Sequence, residues 1–249
     1  MNEVLVTGAT GTVGSLLVSR LRANGRTVRA LSRRTGPGLV TGDLASGAGI
    51  DCALEGVGTV VHLATTYRDD SGIARTLARA GAAAGHPHVV LLSIVGVDRI
   101  PLSHYRGKLA AEAVIAESGL PHTILRSTQF HTLVERILAA QRWSPLLLAP
   151  DFRLQPIDVG DVVTRLVGLA AGAPAGRVAD IGGPEVRDFR SFAEAYRAAA
   201  GSRRRIVPVR LPGSTFRALR AGANLVPGPP YGTVTFEQHL AESAVLRHG

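Results

Sequence analysis

Three glycines near the amino terminus are the residues whose spacing most directly suggests chemistry. Thr7-Gly8-Ala9-Thr10-Gly11-Thr12-Val13-Gly14 sets them at a G-x-x-G-x-x-G interval between a β-branched run and a helical repeat. Each has a physical task around a pyrophosphate: a tight turn, a close approach of backbone to the ligand, and close packing of helix on strand, with the helix N-terminus facing the anion. In that strand, turn and helix context the spacing predicts dinucleotide binding through Gly8, Thr10, Gly11, Thr12 and Val13. About 20 residues further on, an NAD site places a carboxylate on the ribose hydroxyls. The chain instead reads Leu31-Ser32-Arg33-Arg34. Arginine suits a 2′-phosphate through forked, charge-assisted hydrogen bonds, so NADP(H) is expected rather than NAD(H), with Arg33, nearest the strand end, as the contact. Asp43 is either an acceptor for the adenine amino group or an ordinary turn aspartate. Ala64 and Thr65, closing a later strand, would carry backbone past the cofactor's ribose.

The elements that would position these residues alternate. Strands are expected over Asn2 to Thr7, Thr27 to Leu31, weakly Gly38 to Thr41, Thr59 to Ala64, Val89 to Val95 and His122 to Arg126, several of them continuous apolar runs of the kind buried on both faces. Helices are expected over Val13 to Ala23, Asp70 to Ala84 and Leu109 to Glu117. Strands separated by helices imply right-handed crossovers and an α/β fold with a parallel, doubly wound sheet. Beyond about Thr128 the texture changes. Helices are expected near Leu133 to Gln141 and Asp161 to Ala171, with an apolar stretch from Ser144 to Pro150 between them. Ser191-x-x-Glu194 and Thr235-x-x-Gln238 each have the spacing of a capping box opening a helix. Residues 1–249 therefore read as one nucleotide-binding domain whose part from about 128 to 249 folds against the core as a small substrate lobe, roofing the crevice at the carboxyl ends of the strands.

Composition excludes several alternatives. The chain has 249 residues, a formal charge of +9 and 45% hydrophobic residues, ample for a packed core. The basic residues are scattered and aromatics make up only 4%, which argues against a nucleic-acid footprint. A single cysteine, Cys52, forbids an internal disulfide and fits a reducing compartment. No apolar run approaches the roughly 18 residues needed to span a bilayer, and Met1-Asn2-Glu3 leads directly into a strand. A cytoplasmic protein with a small-molecule substrate, no membrane partner, and a monomeric or homodimeric state is expected. His86, His88, His122 and His131 have no spacing that suggests a metal site.

Further segments carry a family likeness: Leu92-Ser93-Ile94-Val95-Gly96, Tyr105-Arg106-Gly107-Lys108-Leu109-Ala110-Ala111-Glu112, Ile124-Leu125-Arg126-x-x-Gln129-Phe130 and Gln155-Pro156-Ile157-Asp158-Val159-Gly160-Asp161-Val162. With the glycine turn, they make the chain resemble the atypical short-chain dehydrogenase/reductase superfamily, in particular its NmrA-like NAD(P)-binding branch. The resemblance implies a Rossmann sheet and a site built from a serine ending the fifth strand and a tyrosine four residues before a lysine. In such members the tyrosine exchanges a proton with the substrate oxygen, the lysine lowers its pKa and holds the nicotinamide ribose, and the serine polarises the oxygen. Ser93 fills the serine position and Lys108 the lysine position. His104 stands four before Lys108, and the tyrosine falls one place later at Tyr105. Either residue could be the proton donor, or neither. All basic residues but Lys108 are arginine, so the one lysine coincides with the position at which the family uses a compact ammonium.

These readings support an NADPH-dependent reductase of a small apolar carbonyl or quinone-like compound. An NADP(H)-binding regulator without turnover, or a biosynthetic enzyme using the fold for a non-redox step, fits the displaced tyrosine. Phe130, Trp143 and Leu146-Leu147-Leu148 are candidates for an apolar substrate pocket, a subunit contact or core. His62, on a buried strand, reads as a satisfied core histidine, Arg126 as an ion-pair partner near a strand end, and Asp158 and Asp161 as turn and cap carboxylates.

Overall fold

The computed structural model describes residues 3–66 and 69–248. Asn2, expected to open the first strand, lies outside them. The chain begins with β1 (Glu3–Thr7), α1 (Thr12–Ala23), β2 (Val28–Ser32), β3 (Leu39–Thr41), α2 (Ile50–Leu54), β4 (Val57–His62), α3 (Asp70–Ala83), β5 (His88–Ile94), α4 (Ser103–Glu117) and β6 (His122–Ser127). It continues with α5 (His131–Ala139), β7 (Leu146–Pro150), β8 (Arg153–Leu154), α6 (Val159–Ala171), β9 (Gly176–Arg177), β10 (Arg187–Asp188), α7 (Phe189–Ala199), β11 (Arg205–Val209), α8 (Ser214–Arg220) and α9 (Phe236–His248).

Seven strands form one parallel sheet in the order β3-β2-β1-β4-β5-β6-β9. Chain order reverses between β1 and β4, the switch point outside which an α/β sheet leaves a crevice. Two apolar clusters cover the faces. Leu5, Val60, Val89 and Leu91 pack under Ile73, Leu77 and Ile115 of α3 and α4. Val4, Val6, Val61 and Val90 pack under Leu17, Leu21, Val163 and Leu166 of α1 and α6. The doubly wound α/β reading is therefore correct, and the buried strands are those with unbroken apolar runs. α6 and β9 return the chain to this sheet after an excursion whose own core joins Val134, Leu138, Leu147, Phe189, Phe192 and Phe236. There β7 pairs in parallel with β11, and β8 pairs antiparallel with β10. No helix among the described residues is long and apolar enough to cross a membrane.

Several boundaries differ from the sequence expectation. β4 stops at His62, so Ala64 and Thr65 lie past the strand end. α4 starts at Ser103, six residues before the expected Leu109, because its inward face includes Tyr105 and Lys108, which apolar periodicity does not reveal. Ser191 does not cap α7. That helix begins at Phe189, two residues earlier, where Phe189 and Phe192 both bury fully, and Glu194 pairs with Arg190 across one turn at 3.0 Å. The second box is real: Thr235 N–H donates to Gln238 Oε1 at 2.8 Å and Gln238 N–H to Thr235 Oγ1 at 3.3 Å.

Candidate active site

β1 delivers the chain into the glycine turn at Thr7. Gly8 adopts φ +68°, and a Cβ there would stand 2.9 Å from Ala64 N and Leu63 C. A Cβ on Gly14 would stand 2.1 Å from Gly8 O, so α1 can sit against the turn only with glycine at that place. At Gly11 the only near neighbour of such a Cβ is Gly8 O, at 3.3 Å, which leaves an open cradle on that side. Gly11 is also the N-cap of α1, with no side chain to accept from the first amides, and the first turn holds no acidic residue. The positive end of the helix is left for an anion. Thr10, Gly11 and Thr12 are exposed beside it and Val13 is half-buried. This arrangement fits a pyrophosphate.

Thr7 links the turn to the end of β4. Its Oγ1 accepts from Leu63 and Ala64 N–H, each at 3.2 Å, and lies 2.8 Å from His62 Nδ1. With both amides pointing at the oxygen, the hydroxyl hydrogen is left for Nδ1, which assigns a neutral imidazole protonated at Nε2. Burial, reinforced by the charge of Lys108, lowers the His62 pKa to about 3, so the neutral form persists across the ordinary range. His62 is a satisfied core histidine.

The single lysine lies close by. Lys108 Nζ sits 3.1 Å from Asp70 Oδ2, with the two side chains only 9% and 5% exposed. Asp70 opens α3 and also accepts from Thr65 Oγ1 at 2.9 and 3.0 Å and from Thr66 N–H at 2.8 Å. Burial alone would raise the Asp70 pKa, but the Lys108 charge and these hydrogen bonds outweigh it and hold the carboxyl below its ordinary value.

Ser93 lies near the carboxyl end of β5, buried, and its Oγ has no partner among the described residues. Across the sheet it pairs in register with Arg126 of β6. Arg126 makes a forked bond to Glu112 of α4 (2.9 and 2.7 Å) and reaches Asp98, in the loop after β5, at 3.2 Å. It is the ion-pair partner its position suggested. Tyr105 packs among Val97, Ile100 and Ala223. Burial pushes its phenol up, against an opposing hydrogen bond from the side chain of Gln129. His104 is half-buried, its ring edge-on to Tyr105 at 4.7 Å between centroids. It stands four residues before Lys108 and so shares that residue's side of the helix. Burial lowers its pKa and so does Lys108, while Asp70 works the other way, with a net shift downward. The helix thus holds His104 toward its neutral form beside the Lys108–Asp70 pair and turns Tyr105 into an apolar cluster.

Arg33 lies exposed just past β2, with no ion-pair partner among the described residues. Asp43 Oδ1 accepts from Ala45 N–H at 3.0 Å, the geometry of a turn aspartate. Asp158 caps α6 by accepting from Gly160 N–H at 2.6 Å, whereas Asp161 binds Thr233 N–H and Oγ1 at 2.8 and 3.0 Å and so anchors a distant segment. Phe130 follows β6 closely, half-buried and bridged to Ile157. Trp143 is 85% exposed between α5 and β7, with the Arg142 guanidinium 5.3 Å from its ring centroid. The two pocket candidates therefore stand in different surroundings, one against the core and one on the surface. Leu147 is fully buried, and Leu146 and Leu148 on either side of it are exposed. Sequence reasoning did not single out Asp70 or Thr7. The available signal for Asp70 was an acidic residue opening the helix that follows β4.

A family model described as NAD(P)H-binding matches residues 8–167. The (4-alkanoyl-5-oxo-2,5-dihydrofuran-3-yl)methyl phosphate reductase of Streptomyces griseus is 32% identical over 203 residues, covering 73% of this chain and 68% of that protein. Among solved structures, a nucleoside-diphosphate-sugar epimerase from Staphylococcus aureus superposes with a TM-score of 0.82 at 16% identity, covering 96% of this chain and 99% of the other. The NADPH-dependent quinone oxidoreductase of Escherichia coli, in complex with NADPH, superposes with a TM-score of 0.81 at 17% identity, covering 97% and 99%. At such identities the structural matches speak for the fold.

Proposed function

Because the chain belongs to the NAD(P)H-binding family, we propose that it is an NADPH-dependent reductase of a small apolar carbonyl or quinone-like compound. One observation carries this reading: a buried serine hydroxyl without a partner among the described residues and a buried lysine stand at the carboxyl side of a sheet whose glycine turn leaves a helix N-terminus open to an anion. The phosphate reductase among its relatives supports reduction as the chemistry.

In this reading the turn from Gly8 to Val13 holds the pyrophosphate. Arg33 takes the 2′-phosphate, and the backbone at Ala64 and Thr65 passes the ribose. Lys108 binds the nicotinamide ribose hydroxyls. A reduced nicotinamide held there would supply the hydride for the reduction. Ser93 donates a hydrogen bond to the substrate oxygen as negative charge builds there. His104, half-buried one turn before Lys108, delivers the proton to that oxygen as its imidazolium, the minor form at its lowered pKa, which solvent protons restore after each transfer. The segment after residue 128 covers the crevice, with Phe130 toward the substrate.

The test is loss of reduced-nicotinamide absorbance against a panel of quinones and ketones. His104→Ala should lower kcat on the order of 100-fold while Tyr105→Phe changes it little. Turnover indifferent to His104→Ala removes it from the proton path. A regulator without turnover is the second reading, favoured by the packing of Tyr105 in an apolar cluster. Tight binding of both NADP⁺ and NADPH with no oxidation across the panel would establish it.

A further inference from the structure

We propose that Asp70 is the positioning residue for Lys108, holding the ammonium at the edge of the crevice so that its remaining hydrogens meet the cofactor's ribose. The inference rests on the cofactor site proposed above. It does not depend on which substrate is reduced.

An ammonium has three hydrogens. Asp70 Oδ2 accepts one at 3.1 Å, and Lys108 has no other partner among the described residues. A buried donor with unused hydrogens suits a ligand with several hydroxyls. The carboxylate is itself fixed from three directions, by Thr65 Oγ1, Thr66 N–H and Lys108. Thr65 and Thr66 belong to the stretch that follows β4, next to Ala64, whose N–H is bound by Thr7 at the entrance to the glycine turn. Asp70 therefore ties the segment expected along the ribose to the side chain expected to bind it, joining the first turn of α3 to its neighbour α4.

Net stability explains this pair poorly, because replacing a buried ion pair by apolar side chains of similar volume is often neutral or stabilising. Every other basic residue in the chain is arginine. Among the described residues, the charged and titratable groups around the pair are His62 from β4, neutral and bonded to Thr7, His104 from the same helix, and Asp69, which caps α3 through Gly72. Asp69 is spent on the cap and on Ser71. Asp70 is the carboxylate in direct contact with the lysine.

The experiment is a double-mutant cycle on the dissociation constant of NADPH, measured by calorimetry with Asp70→Asn, Lys108→Met and the double variant. Asp70→Asn should weaken binding tenfold or more, Lys108→Met by a similar factor, and the double variant no further than Lys108→Met. A structural role would lower thermal stability without that coupling. Unchanged affinity in Asp70→Asn, or penalties that multiply in the double variant, overturn the proposal. If Asp70→Asn does not fold, Thr65→Val removes a donor from the same carboxylate. It should weaken NADPH at least threefold in the wild-type background and not in Lys108→Met, and equal effects in both backgrounds overturn the proposal. Coupling between Asp70 and Lys108 with no turnover on any compound would refute the reductase reading and leave this inference standing.

Discussion

Arg33→Ala tests which dinucleotide the chain prefers. Arg33 is exposed, sits one residue beyond Ser32 at the end of β2, and has no ion-pair partner among the described residues. Its removal should cost the fold little, within about 0.5 kcal/mol for a surface position of this kind. Toward a 2′-phosphate the guanidinium would make charge-assisted hydrogen bonds worth roughly 1.5–3 kcal/mol each. Ordering an exposed, four-bonded side chain opposes this by about 0.5–1.5 kcal/mol. Two bonds less the ordering term leave about 1.5–5.5 kcal/mol. Solvent screening at so open a place brings that toward the lower end, on the order of a 30-fold loss. The assay is titration calorimetry with NADPH and NADH side by side. NADPH affinity should fall by that factor and NADH affinity should stay within about twofold, and raising salt should narrow the wild-type preference. Equal losses for both nucleotides, or none for NADPH, would refute the assignment of the phosphate contact to this arginine.

Two further outcomes follow from the geometry. His62 has a folded-state pKa of about 3, below its unfolded value of 6.5, so between those limits the unfolded chain carries a proton that the folded chain does not. Its contribution is complete above about pH 6.5 and declines as pH falls toward 3; wild type should therefore lose ~1.4 kcal/mol per pH unit more than His62→Asn in denaturant unfolding between pH 6 and 4, and parallel slopes would contradict the buried neutral imidazole. Gly14→Ala and Gly11→Ala should separate folding from binding. The first drives a Cβ to 2.1 Å from Gly8 O and should destabilise the protein by about 1–3 kcal/mol or more, whereas the second meets only Gly8 O at 3.3 Å and should fold normally while weakening NADPH, with matching melting curves for the pair counting against this account of the turn.

What the sequence revealed follows from how local each cause is. The central strands declare themselves because Val60, Val61, Val89 and Val90 are buried in a two-faced sheet and must all be apolar. The glycine turn is legible because backbone atoms within a few residues, and at the end of β4, exclude any side chain at Gly8 and Gly14. The parallel pairing of β7 with β11 left no such trace, since its partners are Leu146 and Arg205, 59 positions apart in number (205 − 146). Asp70 was hidden for the same reason: the residue that gives it meaning lies on the next helix. The choice between His104 and Tyr105 also depends on distant groups. Val97, Ile100 and Ala223 surround the tyrosine, and Asp70 and Lys108 act on the histidine.

The start of α4 escaped notice because its inward stripe is not apolar. Tyr105, Lys108, Glu112 and Ile115 are all buried at intervals of three, four and three residues, a helical face on which two of four members are charged. Such a face persists only where each charge finds its partner, and both partners are reached: Lys108 meets Asp70 of α3, and Glu112 meets Arg126 of β6. Leaving one member of such a pair unpartnered costs about 3–5 kcal/mol, so rotating α4 by a residue is strongly disfavoured. Arg126 is in register with Ser93. The Glu112–Arg126 contact therefore ties α4, which carries Lys108, to the strand paired in register with Ser93. The positions that broke the hydrophobic pattern are the ones whose buried contacts hold α4 beside the proposed site.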